Sequence, residues 1–506
     1  MTAIVSPRSS LTALRRPSLR QSAGCSPAAQ ASPAQECGGP FGGVPFHSGV
    51  ACAANGANHV CRTSIVPCSI CTCEYSRALA LCQAHLAFFG RFPAIFPHPL
   101  VAFFRSVLYN GSRIQNARGG RAMRQSIDLN HDWEFTPRFS RDFARFTGGE
   151  DIALVALPHS CAVTPYDYFD EQCYQMLCGY RRRIDVPADW AGKRVFLCIE
   201  GAAHAAEVFV NGEKLGEHHC GYTAFTVELT AALTPGAPAL LAISVDSRES
   251  LDQPPFGLVV DYMTYGGLYR EVHLDVCESA SIADVFACPA LPAALPLLGS
   301  TEREEVRRAL AVEKRFPAAL SGSVTLRGPV AGQTLRLRLA DDSGGVLTEQ
   351  ALPAEGQTLP FAFDVPEVLL WDVCSPRLYT LECALIAGGA ELDRVETRIG
   401  FRRAEWRAEG FFLNGRRLKL LGLNRHQSYP YVGYAMPRSM QRLDAEILKN
   451  ELGCNAVRTS HYPQSRHFID RCDELGLLVF TEIPGWQHIG GAAWKQQALR
   501  NVGDMV

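Results

Sequence analysis

Polar side chains that can contact a ligand follow three short apolar segments near the C-terminal end of the sequence. They are Asn424-Arg425-His426, then Arg458-Thr459-Ser460-His461, and finally Glu482. Guanidinium, imidazole and carboxylate groups together supply both donors and acceptors of hydrogen bonds, which suits a polar ligand. Because such clusters recur after three successive segments, we predict that they form one ligand-binding site.

The segments that position these clusters alternate between strand and helix patterns. Apolar runs at 418–423, 455–458 and 477–481 predict strands, and the last is apolar throughout, as in a buried parallel strand. Residues 439–452 predict a helix that ends at Gly453, with an apolar face made of Met440, Leu443, Ile447 and Leu448. Residues 465–475 predict a second helix that ends at Gly476. The β-α-β-α-β order indicates a parallel α/β domain, and α/β barrels place their chemistry at the C-terminal ends of the strands.

The preceding part of the chain has the pattern of two β-sandwiches. Short strands such as 194–200, 206–210 and 240–245 predict an antiparallel sandwich over 124–278, and Asn211-Gly212 is typical of a type I′ hairpin. Residues 279–400 contain the clean alternation of 334–339 and have the length of an immunoglobulin-like sandwich.

Composition limits the classes of function. The chain has 506 residues, 47% hydrophobic and 20% charged, so most of it can bury a core. Its net charge of −2 gives no bulk electrostatic reason to bind nucleic acid or an anionic membrane. Nineteen cysteines without a regular framework indicate free thiols in a reducing compartment, so we expect a cytoplasmic protein. We find no dinucleotide-binding or Walker A motif and expect no cofactor.

Residues 1–122 differ from the rest of the chain. They hold eleven arginines, no lysine and only two acids, Glu36 and Glu74, and so carry a formal charge of +9. Prolines and arginines interrupt the apolar stretch at 78–109, which excludes a membrane-spanning helix there. A zinc site at Cys68, Cys71 and Cys73 is also rejected, because no second ligand pair completes it. We interpret 1–122 as an unassigned segment, disordered or translated from upstream of a start at Met123.

Three long motifs, at 423–430, 455–463 and 472–486, closely resemble glycoside hydrolase family 2, the family of β-galactosidases, β-glucuronidases and β-mannosidases. Upstream, Leu157-Pro-His159, Gly192-Lys-Arg194, Gly221-Tyr222 and 266–270 look like the family's sugar-binding jelly roll. Leu370-Trp371, Pro376 and Leu378-Tyr379 look like the end of its immunoglobulin-like domain. The resemblance implies a jelly-roll sugar-binding domain at 123–278, an immunoglobulin-like β-sandwich at 279–400, and at 401–506 the first three βα units of a truncated TIM (β/α)8 barrel.

The family is a retaining one, in which one carboxylic acid protonates the leaving sugar oxygen and a second carboxylate attacks the anomeric carbon. The resemblance places both glutamates near the ends of the fourth and seventh barrel strands, beyond Val506. The dipeptide Asn450-Glu451 imitates the acid/base motif, but it lies at a helix end and is predicted to be solvated. By itself the chain is therefore expected to be inactive.

Four candidate substrate-binding residues match family residues at the sugar site: Asp261, His426, Arg458 and His461. Two further candidates are Glu482, which could assist a catalytic carboxylate, and Trp486, which could stack on a sugar face. Each has a structural alternative: Arg458 could simply pair with a strand-end carboxylate, Trp486 could pack in the core, and Glu482 could be a structural acid. Some members bind Mg²⁺ near Glu482. Here Trp486 occupies the position of a second carboxylate, although His488 persists, so no metal is predicted.

The resemblance implies that the intact protein hydrolyses terminal β-glycosidic bonds as a β-galactosidase-like enzyme. This chain would hold its substrate-binding half. The alternatives are a non-catalytic carbohydrate-binding remnant and a fragment that needs its second half in trans. The partner implied is a β-linked carbohydrate, with a possible homo-oligomer. The sequence does not distinguish galactoside, glucuronide and mannoside. Three of eight strands cannot close a barrel, so we expect the third strand to present an open edge and both faces of that sheet to lack cover. In the chain as written, we expect 401–506 to be poorly folded or to aggregate while the two β domains fold.

Overall fold

The computed structural model describes residues 124–149, 151–164, 170–257, 260–292 and 314–506. The interpretation of residues 1–122, the rejected zinc site at Cys68, Cys71 and Cys73 and the rejected span at 78–109 lie outside these residues. Within the described ranges, no helix has the length and apolar character needed to cross a membrane.

The first domain is an antiparallel β-sandwich whose two sheets have the strand orders β1-β10-β5-β8 and β3-β2-β4-β9-β6-β7. Its strands are β1 (Gln125–Asp128), β2 (Trp133–Thr136), β3 (Ala153–Val155), β4 (Leu177–Asp185), β5 (Arg194–Ile199), β6 (Ala205–Val210), β7 (Glu213–His218), β8 (Phe225–Glu228), β9 (Pro238–Asp246) and β10 (Val272–Cys277). Short 3₁₀ turns lie at Glu171–Tyr174, Ala188–Trp190 and Thr230–Ala232. The hairpin predicted at Asn211-Gly212 is confirmed, since both residues have positive φ, 51° and 84°, as a type I′ turn requires.

The second domain is a smaller sandwich with its own apolar core. Its strands are β11 (Ser281–Ala290), β12 (Phe316–Arg327), β13 (Thr334–Ala340), β14 (Val346–Pro353), β15 (Thr358–Val368), β16 (Trp371–Asp372), β17 (Ser375–Pro376), β18 (Tyr379–Ala387) and β19 (Ala390–Ile399). A sheet β11-β12-β15 faces a sheet β14-β13-β18-β19, and β16 and β17 form a separate pair. Seven main strands in sheets of three and four match the immunoglobulin-like architecture.

The third domain begins with a small antiparallel sheet and continues with three βα units. Its strands are β20 (Ala404–Arg407), β21 (Gly410–Leu413), β22 (Arg416–Arg417), β23 (Gly422–Asn424), β24 (Ala456–Thr459) and β25 (Leu478–Thr481). Its helices are α1 (Arg438–Glu446), continued by a π-helical turn at Ile447–Glu451, α2 (Arg466–Leu475) and α3 (Ala492–Met505). Strands β23, β24 and β25 pair in parallel, which confirms the predicted start of a (β/α)8 barrel.

Two details of the predicted βα units are wrong. The first strand begins at Gly422, not at residue 418. The apolar face predicted for the first helix is also rotated, because Leu443 is exposed while Gln441 and Ala445 are buried. The physical reason is Arg425, a buried cation at the end of β23. Its Nη2 donates to Gln441 Oε1 (2.8 Å) and to an Asp444 carboxylate oxygen (2.7 Å), which turns this polar side of α1 inward.

The expectation that both faces of the parallel sheet lack cover is wrong as well. Val457 and Val479 on one face pack beneath α1 and α2. Ala456 and Leu478 on the other face pack against Trp371 of the second domain and against the small sheet β20-β21-β22. The expectation that 401–506 is poorly folded in the chain as written stays a prediction.

Glu474 on α2 joins the second and third domains through three arginines. It accepts from Arg398 on β19 (2.8 Å), from Arg442 on α1 (2.8 Å) and from Arg471 (2.7 Å). Burial by itself would raise the pKa of Glu474, but the hydrogen bonds from these guanidinium groups outweigh it and lower the pKa to about 2. The carboxylate is therefore ionised at neutral pH and contributes to holding the barrel segment on the sandwich.

Candidate active site

The residues at the ends of β24 and β25 lie on the inner side of the partial barrel because alternate side chains of a strand point to the same face. Arg458 follows the inward-packed Ala456 by two residues, and Glu482 follows Phe480 by two. Successive side chains of a strand point to opposite faces, so Arg458 and Glu482 lie on the same face. Arg458 is also in register with Phe480 across the parallel pair. These two features explain why residues 24 positions apart meet at one edge of the sheet.

Arg458, His461 and Glu482 form a bonded triad at this edge. Arg458 Nε donates to Glu482 Oε1 in an ion pair, and His461 Nδ1 lies 3.1 Å from Glu482 Oε2. Arg458 Nη2 lies farther from that ring nitrogen, at 3.4 Å. The shorter contact is explained if His461 Nδ1 donates to the carboxylate and does not accept from Arg458. The Arg458 side chain is 45% exposed, so this triad is accessible to a ligand.

His426 faces the triad from the end of β23. Its Nδ1 lies 3.0 Å from the hydroxyl of Tyr462, and its ring centroid lies 5.7 Å from that of His461. The ring of Tyr262 closes the group, 5.2 Å from His426 and 5.5 Å from His461. Burial lowers the pKa of His426, and the neighbouring His461 lowers it further. The imidazole is therefore neutral at physiological pH and offers one donor and one acceptor.

Asp261 and Trp486 lie at the border of this group. Asp261 is exposed, and its charge acts to raise the pKa of His426, opposite to burial. The Trp486 ring is half-buried, with its centroid 6.2 Å from that of His461, and it packs against the tyrosine cluster described next. Trp486 thus contacts both the site and the core, and the two roles considered for it are compatible.

A cluster of buried tyrosines joins the jelly roll to the barrel segment directly behind the site. Tyr222 stacks on Tyr462 at 4.3 Å with nearly parallel rings, and Tyr434 donates to the carbonyl of Met263 (2.9 Å). The other two tyrosines of the cluster are Tyr262 and Tyr269. Three of these side chains come from the jelly roll and two from the barrel, so the cluster fixes how Tyr262 meets His426 and His461.

Arg270 crosses the same contact between the domains. Its Nη1 donates within the jelly roll to the carbonyls of Glu200 (3.1 Å) and Tyr222 (3.0 Å). Its Nη2 donates to the barrel segment, to Gln427 Oε1 (2.8 Å) and to the carbonyl of Pro463 (3.0 Å). Gln427 adjoins His426 and Pro463 follows Tyr462, so Arg270 holds both strand ends from behind.

Glu482 and His488, the two residues considered for a metal, each contact different neighbours. Both oxygens of Glu482 are engaged, by Arg458 and by His461. His488 packs against the ring of Trp494 at 5.9 Å and against Gly257 of the jelly roll. The statement that no metal binds at Glu482 stays a prediction.

Sequence reasoning missed the tyrosines that surround the site. Tyr262 and Tyr462 adjoin Asp261 and His461, which the sequence predicts to bind substrate, but the sequence predicts no role for either tyrosine. Their adjacency to candidate polar residues was the only sign in the sequence. Their importance depends on contacts across two domains, which no local pattern reveals. The exposed dipeptide Asn450-Glu451 lies on the π-helical turn at the end of α1, as predicted.

Models of one protein family match three consecutive parts of the chain. Residues 163–276 match glycosyl hydrolases family 2, sugar binding domain, residues 320–402 match glycosyl hydrolases family 2, and residues 405–499 match its TIM barrel domain.

Similar proteins are β-galactosidases and β-glucuronidases. A β-galactosidase of Thermoanaerobacterium thermosulfurigenes is 38% identical over 76% of this chain and 52% of its own length. A β-glucuronidase of Bacteroides fragilis is 31% identical over 72% of this chain and 50% of its own length. The solved β-glucuronidase of Bacteroides uniformis superposes with a TM-score of 0.63 at 28% identity, covering 76% of this chain and 45% of that one.

The chain spans about half the length of these relatives. The order of its three domains, the strand-end residues of its partial barrel and the three matching models agree with one another. On these grounds the chain belongs to glycoside hydrolase family 2.

Proposed function

We propose that this chain is the substrate-binding half of a retaining β-glycosidase that acts on terminal β-galactosides. The observation that supports it most is the bonded group of Arg458, Glu482 and His461 on the inner side of the strand ends, faced by His426. A pyranose presents hydroxyls that both donate and accept, and this group alternates charged and neutral donors and acceptors.

The pairing of Arg458 with Glu482 favours a neutral sugar over a uronic acid. A glucuronide brings a carboxylate, which is bound best by an unpaired cation. Arg458 is already neutralised by Glu482 within the site, so it does not offer such a cation. The 38% identity to a β-galactosidase, against 31% to a β-glucuronidase, supports the same choice.

In this proposal the residues of the chain bind and orient the sugar and do not supply the reacting carboxylates. His426 and the triad hold hydroxyls, Trp486 stacks against a sugar face, and Asp261 reaches the site from the jelly roll. The two carboxylates of the retaining mechanism stand about 5–5.5 Å apart across the scissile bond. In this proposal both carboxylates lie beyond Val506.

Turnover of an aryl β-galactoside tests this division of roles. The 506-residue chain is expected to show no hydrolysis above the uncatalysed rate. A fusion of residues 124–506 to the second half of the Thermoanaerobacterium thermosulfurigenes β-galactosidase is expected to hydrolyse it. Hydrolysis by the pure 506-residue chain would show that a catalytic carboxylate lies within it. An inactive but folded fusion would instead favour the carbohydrate-binding remnant.

A further inference from the structure

Three side chains with metal-binding atoms meet on the jelly roll, apart from the candidate active site. The Cys198 sulfur, a ring nitrogen of His273 and a carboxylate oxygen of Asp275 all lie within 4.8 Å of one another. Each residue is half-buried, and in the part of the chain that the structure describes no other group of three or more such residues comes this close together. None of the three belongs to the sugar site.

The strand pairing explains how they meet. β10 pairs antiparallel with β5, and His273 lies directly opposite Cys198. Asp275 follows His273 by two residues and therefore lies on the same face. The alternate residues Leu197 and Leu274 are buried in the sandwich core, so the three donors stand on the outer face of two central strands. Side chains on paired strands are held more firmly than side chains on loops.

The spacing suits a tetrahedral metal ion. His273 Nε2 lies 3.7 Å from Asp275 Oδ1. Zinc bonds of about 2.0–2.3 Å in a tetrahedral arrangement place neighbouring ligand atoms roughly 3.3–3.6 Å apart. The sulfur of Cys198 lies within 4.8 Å of the other two donor atoms, so it must approach them by up to about 1 Å for the group to close around such an ion.

Neighbouring residues hold two of the ligands in place. Arg124 Nη1 donates to Asp275 Oδ2 (3.1 Å), which leaves Oδ1 directed to His273. The hydroxyl of Thr226 donates to the sulfur of Cys198 (3.7 Å). The positive charge of Arg124 is offset by a second partner, the buried Asp393 of β19 (2.8 Å). Hydrogen bonds of this kind to metal ligands orient them for binding.

We propose that Cys198, His273 and Asp275 bind one zinc ion, with water in the fourth position. A thiolate with an imidazole and one carboxylate is a donor set for zinc, whereas Mg²⁺ and Ca²⁺ require oxygen ligands. On binding, the thiol of Cys198 releases its proton to solvent and its sulfur bonds to the metal. The ion would fasten β5 to β10 and, through Arg124, to the second sandwich.

Metal binding to the whole 506-residue chain tests the proposal. Titration with Co²⁺ is expected to give a thiolate-to-metal charge-transfer band that saturates at one equivalent and is displaced by Zn²⁺. The band is expected to be lost in Cys198→Ser. In Asp275→Asn the affinity for Co²⁺ is expected to fall at least tenfold. The matched control is Cys288→Ser, which removes an exposed thiol on β11 and should leave the band unchanged.

X-ray absorption of the unaltered zinc-loaded chain provides a test that does not depend on the folding of a variant. One sulfur at about 2.3 Å with nitrogen or oxygen atoms at about 2.0–2.1 Å is expected. Two or more sulfurs at the zinc would place the ion at other cysteines and overturn the proposal. A cobalt band that persists in Cys198→Ser, or no binding at all, would overturn it as well.

Discussion

Replacing Arg270 by methionine is expected to destabilise the contact between the jelly roll and the barrel segment by about 3–5 kcal/mol, because it removes the charged donor of four buried hydrogen bonds and leaves their neutral acceptors unpaired. The side chain is 5% exposed, and its guanidinium donates to four acceptors, two on each side of the contact. Methionine fills a similar volume but leaves those acceptors unpaired in a buried place.

The measurement is denaturant unfolding followed by near-ultraviolet circular dichroism, which reports the packing of the buried tyrosine cluster. Arg183→Met is the matched control, since Arg183 is an arginine of the same domain that is 69% exposed and lies 3.9 Å from Asp185. It should change stability by less than about 0.5 kcal/mol. The loss of stability in Arg270→Lys should lie between those of Arg270→Met and Arg183→Met, because an ammonium cannot reach both domains as the planar guanidinium does. If the free energy of unfolding of Arg270→Met lies within about 1 kcal/mol of that of the unaltered chain, the role assigned to Arg270 is wrong.

Replacing Arg458 by glutamine is expected to lower kcat/KM of the fusion enzyme about 100-fold. Arg458 holds Glu482 in an ion pair and contacts His461, so its loss frees both neighbours to rotate. An exposed ion pair contributes only about 0–1 kcal/mol of stability. The expected loss therefore comes from misplaced binding groups, since a displacement of about 1 Å can reduce the rate of a geometry-dependent step about 100-fold. The substituted residue lies at an accessible strand end, so the chain is expected to remain folded.

The aryl β-galactoside assay on the fusion measures this effect, with Arg417→Gln as control. Arg417 is an exposed arginine of the same domain, on β22, and its substitution should leave kcat/KM unchanged. A fall in melting temperature together with the rate would indicate a structural role for Arg458. An unchanged kcat/KM would show that Arg458 only pairs with Glu482 and takes no part in binding the sugar.

The sequence predicted the architecture because its patterns are local. The alternation at β13, the Asn211-Gly212 turn and the apolar run at β25 each follow from residues close together in the chain. Parallel pairing of β23, β24 and β25 then brings Arg458, His461 and Glu482 together without further information. For this reason, the grouping of the strand-end residues could be anticipated.

Features that depend on distant residues could not be anticipated in the same way. Gln441 and Asp444 lie on the inward face of α1 because the buried Arg425 needs hydrogen-bond acceptors. Hydrophobic periodicity does not take such a polar partner into account. Arg270 meets Pro463 across 193 positions. Cys198 lies opposite His273 only because β5 and β10 are neighbours in the sheet.

We expect this chain to bind a neutral β-linked sugar at the strand ends of its partial barrel. Saturation-transfer nuclear magnetic resonance of the whole chain with methyl β-galactoside and with methyl β-glucuronide measures this binding. We expect transfer to the galactoside, less transfer to the glucuronide, and loss of both in Arg458→Gln. Transfer that is unchanged in Arg458→Gln, or no transfer to either sugar, would show that no such sugar binds at Arg458.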